Sequence, residues 1–530
     1  MIKWCCSMNP VIERLRGSGR FSFSLLVVVG ALVLAVHGFS ITRYPAVGGD
    51  EVPASATAYN LVARGEFARS IHPGPAGFHL RDYFPPMPPL LIAISYWIFG
   101  FGVWQTKLVP LICGLATAGL VFLLANRLVP TRRSVLAATL SYVLNPLAFL
   151  TWHEARNEAL FTLVIAAMLY LGYSTLTIPV GRRQQTWCLI GVVTGIMILT
   201  YYPFAPLGGL VILPFLWAGI HQDRRSTVFG FGVGLLPVLG VFIAHVLVDP
   251  HLFYTQMLGH LQHYYSATSG FAQVWTSFLA EGGRYRAYAT RLLAVPELLM
   301  GACVIVGLPR LARKYPREWA ALWIPLVLWL GVLSFHRTKE LHYLAAPSFL
   351  VAVGVAILDR EIIAQSRRSV GHLWNALLAG MLMIGLIRIA AISYTTAYQW
   401  RGRDYGAFTA AVRHVIPEHA SVVGPQLAWY ALADRTASLR LYTWGGIQME
   451  GPTGELELND PASLRTVTHI MLQGELLGQQ GRLPGLREYV QAHCKISETI
   501  RLPFAPLPWA RQSPFDMEIY ECRSVDNRQR

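Results

Sequence analysis

The chain has 530 residues, 54% of them hydrophobic and 14% charged, with a mean hydropathy of +0.41. A soluble domain carries about 25% charged residues, so the composition excludes a soluble globular protein and points to helices that cross a membrane. The net charge of +15 lies wholly in the first 394 residues, because the rest holds 14 basic and 14 acidic side chains; an excess confined to the membrane part suits basic inner loops and argues against a nucleic-acid partner.

From the N-terminus, a cationic segment (Lys3, Arg14, Arg16, Arg20) precedes the apolar run Phe21–Ser40. That run is long enough to span a bilayer and lacks a small-residue cleavage site behind it, so it reads as a signal anchor with residues 1–20 in the cytoplasm. A polar loop follows over 41–103, opened by Gly48-Gly49-Asp50-Glu51 and closed by Pro85-Pro86-Met87-Pro88-Pro89. Within it the amphipathic run Ala54–Phe67 predicts a juxtamembrane helix. The apolar segment Pro89–Phe101 is shorter than the ~20 residues a span needs, and it predicts a second one.

Ten more spans are expected: Trp104–Leu128, Ser134–Leu150, Ala159–Ile178, Trp187–Thr200, Phe204–Ile220, Val228–Val248, Arg291–Pro309, Trp319–Phe335, Tyr343–Leu358 and Leu373–Tyr394. With Pro89–Phe101 kept out of the membrane, the basic loops Arg127–Arg133, Arg182-Arg183, Asp223-Arg224-Arg225, Arg310–Arg317 and Asp359–Arg368 all fall on the N-terminal side. The expected fold is a multi-span α-helical membrane protein of about eleven transmembrane helices, N-terminus in and C-terminus out, with residues 21–394 as its membrane domain. Over 395–530 the patterns alternate between helical (Ala407–Val415, Leu486–His493) and extended (Ser421–Val423, Thr468–Leu472), which predicts a small α/β domain on the outer face, large enough for its own core. Cys494 and Cys522 fall there and could pair as a disulfide. Cys113, Cys188 and Cys303 lie in apolar spans as small hydrophobes.

This topology collects three polar clusters at the outer face. Asp50-Glu51 suits either the cap of a helix beginning near Pro53 or paired carboxylates for chemistry. Trp152-His153-Glu154-Ala155-Arg156-Asn157-Glu158 joins two spans; charged groups at that depth face a cavity or pair with each other, and an Arg156–Glu158 ion pair is the simpler reading. His336-Arg337-Thr338-Lys339-Glu340-Leu341-His342-Tyr343 puts cations on the side the charge bias should leave without them. There they make an anion site, with arginine gripping phosphate oxygens and lysine acting as a point charge. His251, His260 and His263, set among tyrosines, read as an interfacial segment, and His72 and His79 as loop residues. No Gly-rich phosphate loop, HExxH or CxxC occurs in the sequence, and the spans look clean of charge apart from Arg388.

At these residues the chain resembles the GT-C superfamily of membrane glycosyltransferases, in the branch holding protein O-mannosyltransferases and lipid A aminoarabinose transferases. The resemblance runs over roughly 20–360. It rests on Gly49-Asp50-Glu51 after the first span, Tyr83-Phe84-Pro85-Pro86-Met87-Pro88-Pro89-Leu90 leading into a short helix, Ala155-Arg156-Asn157-Glu158, and Lys339 followed by His342-Tyr343 and Pro347. It implies a polyprenyl-phosphate-linked sugar as donor, inversion at the anomeric carbon, and catalysis on the outer face of a bacterial inner membrane. The acceptor is a lipid, glycan or protein, lipopolysaccharide among them. Asp50 would be the base or acceptor-orienting carboxylate, Glu51 its neighbour and Glu158 the second carboxylate. Arg156, Lys339 and Arg337 would hold the donor phosphate, with Tyr83, His153, His342 and Tyr343 lining the substrate site. Glu158 stands where Asp is commoner, and Tyr201-Tyr202-Pro203 replaces the Lys-Gly-Pro of many relatives. A divalent cation is left open, since metal dependence varies across the superfamily. Two other classes compete: a polysaccharide polymerase or ligase, which would rely on a large outer loop rich in Arg and His, and a lipid-linked sugar transporter or flippase, which would carry charges or broken helices mid-span.

Overall fold

The computed structural model describes residues 31–68, 83–265, 271–336, 340–365, 368–442, 464–473 and 484–523, less positions 32, 46, 48–50, 84, 130, 437 and 512. Most of the expected anchor Phe21–Ser40 lies outside them, its end continuing as helix over 33–40.

The loop after that helix carries two elements. Helix α1 (Glu51–Arg64) begins at the acidic residue itself, an arrangement that sets a negative charge at the helix N-terminus. Helix α2 (Met87–Phe99) has 13 residues with prolines at its first turn and ends at Gly100, whose φ of 81° a side chain would resist. Its outer side stays exposed and apolar (Ile94, Trp97, Ile98, Phe99), as suits a helix lying at a lipid interface.

Seven helices among the described residues are long and apolar enough to cross a membrane. Six are introduced here in chain order with the shorter elements between them: α3 (Val103–Leu128), the pair α4 (Arg132–Val143) and α5 (Pro146–His153), α6 (Asn157–Thr175), α7 (Val180–Tyr201), α8 (Leu213–Leu247), α9 (Glu281–Arg291), α10 (Val295–Arg310), α11 (Pro316–Phe335) and α12 (Leu341–Ala364). The seventh is α13 (Arg368–Tyr398), which leads out to the C-terminal part. The pair α4–α5 bends by 52° and makes an eighth span if counted as one. Its break has a sequence cause: Pro146 cannot continue a helix, and Asn145 Oδ1 accepts from Leu147 N at 2.9 Å to start a new one.

Eleven spans are expected over the whole chain and seven or eight pass by length and composition among the described residues; most of the first lies outside those residues, and two further differences lie within them. Arg291–Pro309 appears as α10, of only 16 residues. Phe204–Ile220 enters α8 at Leu213 and Val228–Val248 forms its second half, so two expected spans are counted as one helix whose backbone leaves the helical region at Asp223. The two halves of α8 run in opposite directions along α7. Ahead of α8 Gly208 meets Met197, and before the break Gly219 meets Trp187; after it Gly230 meets Gln184, Gly234 meets Cys188, and Gly195 meets Val238.

Beyond α13 lies a five-stranded mixed sheet of order β2-β1-β3-β5-β4, built from β1 (Ser421–Pro425), β2 (Ser438–Tyr442), β3 (His469–Gln473), β4 (Cys494–Ile500) and β5 (Met517–Cys522). The first three are parallel and β4 and β5 are antiparallel to their neighbours, with Cys494 directly opposite Cys522 and bridged to it by a disulfide. Helix α14 (Tyr405–Val415) covers one face and α15 (Pro484–His493) the other. The core under α14 also takes in Val52 and Ala56 of α1 and Val103 of α3, so the sheet unit and the first loop share one hydrophobic core.

Candidate active site

Three expected clusters meet where α1 begins, between α5 and α6, and between α11 and α12. Glu51 opens α1 with its side chain only 1% exposed. Its Oε1 accepts a hydrogen bond from Ala155 N at 3.1 Å and lies 3.6 Å from Lys107 Nζ, itself 1% exposed. Lys107 also donates to the Pro45 carbonyl at 3.0 Å. A lysine and a glutamate buried this deeply stay charged only by holding each other and nearby polar groups.

A second set of pairs continues from there. Glu154, just past the end of α5, sits 2.7 Å from His342 Nε2. Burial alone would push the Glu154 carboxyl up, but His342, Arg156 and Lys107 outweigh it and hold the group below the ordinary carboxylate range. Arg156 caps the start of α6, where it bonds both Glu158 oxygens at 3.4 Å and reaches Glu340 Oε2 at 2.6 Å. Beneath lies a narrow pocket bordered by Glu158, His342, Tyr343, Tyr201, Phe204 and Trp329. Tyr343 packs there with its ring 5.8 Å from Phe204 and 4.9 Å from His336. Tyr201 borders the same pocket and stacks edge-on against Phe161 at 5.6 Å.

Of the residues singled out from the sequence, Glu51, Arg156, Glu158, His342 and Tyr343 are brought together. Asp50, Arg337 and Lys339 lie outside the described residues, adjoining Glu51, His336 and Glu340. His153 and Tyr83 sit apart from the cluster. The His153 ring bonds Ser40 Oγ at 3.0 Å and the Phe149 carbonyl at 2.8 Å and stacks on His37, all within packed helix. Tyr83 packs against His245 and Phe253, with its backbone N–H donating to Gln256 Oε1 at 3.0 Å. Among the described residues no group of three or more His, Cys, Asp or Glu is placed to hold a metal ion.

Three members of the cluster escaped the sequence reading: Lys107, Glu154 and Glu340. The last two lay inside stretches already singled out. Lys107 had a signal of its own, a cation within the apolar run of α3, where an ionisable group marks a functional site by default. The expectation that the spans were clean of charge apart from Arg388 is corrected by Lys107 and by Glu297, the buried partner of Arg388.

Residues 84–254, about a third of the chain, match the family described as dolichyl-phosphate-mannose-protein mannosyltransferase. An uncharacterized protein of Aquifex aeolicus (strain VF5) is 27% identical over 184 residues, and the chain spans 34% of that relative's length. Among solved structures, ArnT from Cupriavidus metallidurans bound to undecaprenyl phosphate superposes with a TM-score of 0.56 at 14% identity, covering 94% of this chain and 98% of that one. The oligosaccharyltransferase AglB from Archaeoglobus fulgidus, in complex with an inhibitory peptide and a dolichol-phosphate, gives a TM-score of 0.50 at 13% identity over 93% of this chain and 75% of that one. At these identities the structures speak for the fold alone. The chain thus carries a segment similar to that mannosyltransferase family within an ArnT-like multi-span fold.

Proposed function

We propose that the chain transfers a sugar from a polyprenyl-phosphate donor to a lipid, glycan or protein acceptor at the outer face of a bacterial inner membrane, with inversion at the anomeric carbon. The observation that carries this reading is the meeting of Glu51, Glu154–Glu158 and Glu340–Tyr343 in one ion-paired cluster at the ends of apolar helices. A ligand with one foot in the bilayer and a charged, reacting head would need such a place. The fold supports the donor class, since ArnT binds undecaprenyl phosphate and AglB a dolichol-phosphate.

In this scheme the Asp50 carboxylate takes the proton of the acceptor hydroxyl as its oxygen attacks the anomeric carbon. The bond from that carbon to the phosphate oxygen breaks, and polyprenyl phosphate leaves with the electron pair. Arg156, Lys339 and Arg337 offset the charge that develops on it. Arg156 is already gripped by Glu158 and Glu340, so its guanidinium is aimed before the donor arrives and little reorganisation is needed. Glu51, tied to Lys107, fixes the end of α1 beside Asp50. His342 and Tyr343 border the pocket next to Glu158 and stand nearest the sugar. The charge bias of the loops supports an inward N-terminus, with the cluster and the sheet unit outside.

The test is transfer of label from polyprenyl-phosphate sugars in vesicles. For Arg156→Ala, inserted normally, we expect transfer to fall on the order of 10²-fold, the size of losing one transition-state charge partner. Undiminished transfer would remove Arg156 from the phosphate site, and wild-type protein inert toward every such donor would remove the donor class.

A further inference from the structure

We propose that Tyr430, a residue of the C-terminal sheet unit, is a positioning residue for the Glu51 turn. This inference rests on the transferase reading for its kinetic consequence and on geometry alone for the rest. Tyr430 belongs to the short helix Trp429–Leu432, which follows β1 and is buried throughout. Its hydroxyl lies 2.8 Å from Ser55 Oγ and 3.1 Å from Thr106 Oγ1, and the Tyr96 hydroxyl reaches the same Thr106 oxygen. Four buried hydroxyls from α1, α2, α3 and the sheet unit thus form one connected group, although Ser55 and Tyr430 are 375 residues apart in sequence.

The direction of these bonds decides what the group does. Ser55 donates its proton to the Glu51 carbonyl at 2.6 Å. With that proton given, Ser55 Oγ accepts, and the Tyr430 phenol divides its single proton between Ser55 Oγ at 2.8 Å and Thr106 Oγ1 at 3.1 Å. The phenol therefore holds the Ser55 rotamer, and Ser55 pins the backbone carbonyl of Glu51, the residue whose carboxylate pairs with Lys107. Burial makes this group strict: a missing partner leaves a buried hydroxyl unsatisfied, and the turn is free to shift. Around it, Val52 and Ala56 of α1 share the core of the sheet unit with Phe408 and Trp429, so the unit is seated firmly enough to hold the turn from outside. On the far side Gln399 donates to the Ala505 and Ala510 carbonyls and Trp509 Nε1 donates to Thr395 Oγ1, tying the same unit to the top of α13. A unit clamped at two places works as a fixed abutment for the catalytic loop, a role beyond that of an appended acceptor-binding module.

Two measurements on the full-length protein test this. Tyr430→Phe keeps the ring and removes only the hydroxyl. Backbone amide exchange over 51–58 should quicken at least about tenfold, the loss of roughly one buried hydrogen bond, while exchange in α14 stays unchanged. In the vesicle assay kcat should fall by about tenfold with the donor KM within about twofold, the pattern of a displaced reacting group rather than a lost binding contact. Ser55→Ala should give the same profile, and the double variant should fall no further than either single one, because both break one chain. Unchanged exchange over 51–58 overturns the proposal whatever the activity. So does quickened exchange with unchanged kcat. Quickened exchange in a protein whose wild type transfers nothing upholds the hold of Tyr430 on Glu51 and refutes the transferase reading instead.

Discussion

At the scale of single residues the cluster depends on buried charges that must find each other. Lys107 and Glu51 are each 1% exposed, so neither can fall back on water when its partner is removed. Lys107→Met, close in volume, should therefore lower stability by about 3–5 kcal/mol, the cost of stranding one member of a buried pair, and it should abolish transfer along with it. Thermal unfolding in detergent micelles checks the first outcome. A Lys107→Met protein as stable as the wild type would show that Glu51 is held by Ala155 N and its other neighbours alone. Much of the cluster was legible at this scale: acidic and basic residues set among apolar helices had to pair or face a cavity, and Arg156 and Glu158 do pair. The Lys107–Glu51 pair was not: a cation inside an apolar 26-residue run signals a site by itself, but carries no local sign of the glutamate that meets it 56 positions earlier. His153 also stands in the polar stretch, and the last turn of α5 sets its ring onto Ser40 and the Phe149 carbonyl, partners the sequence does not disclose.

At the scale of elements, close packing explains what the hydropathy pattern could not. Gly234 faces the carbonyl of Cys188, and a β-carbon added there would come within 1.9 Å of that oxygen, a backbone atom that cannot swing away. Glycine to alanine in an open helix interior gains about 1 kcal/mol. At Gly234 the sign should reverse, with Gly234→Ala costing about 1–3 kcal/mol through overpacking. Gly232→Ala, two residues away with nothing within 4 Å, should be neutral or stabilising. Equal unfolding midpoints for the two variants would contradict the close approach of α7 and α8. The hydropathy pattern marks apolar stretches on either side of Asp223-Arg224-Arg225 as two spans, and the backbone does turn there, but the pattern cannot say that α10 stops at 16 residues. Elements with strong periodicity and clear punctuation fared better. The α1 and α2 helices, α14, α15 and strands β1 and β3 lie within a few residues of where pattern and turn residues placed them.

At the scale of the whole molecule the chain reads as a membrane bundle, one end of which is closed by a loop and a small sheet unit sharing one core. The similarity to membrane glycosyltransferases, the multi-span helical fold and the α/β character of the C-terminal part were all visible beforehand, because each rests on composition or on motifs spread along the chain. The docking of that part onto α1 was not visible, since Val52, Ala56 and Phe408 look like ordinary apolar residues until the fold brings them together. The most direct measurement on the proposed chemistry is sugar transfer from labelled polyprenyl-phosphate donors by Asp50→Asn in vesicles, with insertion verified. We expect transfer to fall by at least about 10²-fold, as loss of a general base requires, with the protein otherwise intact. An inserted Asp50→Asn protein that transfers at the wild-type rate would reduce that carboxylate to a helix cap and contradict the mechanism.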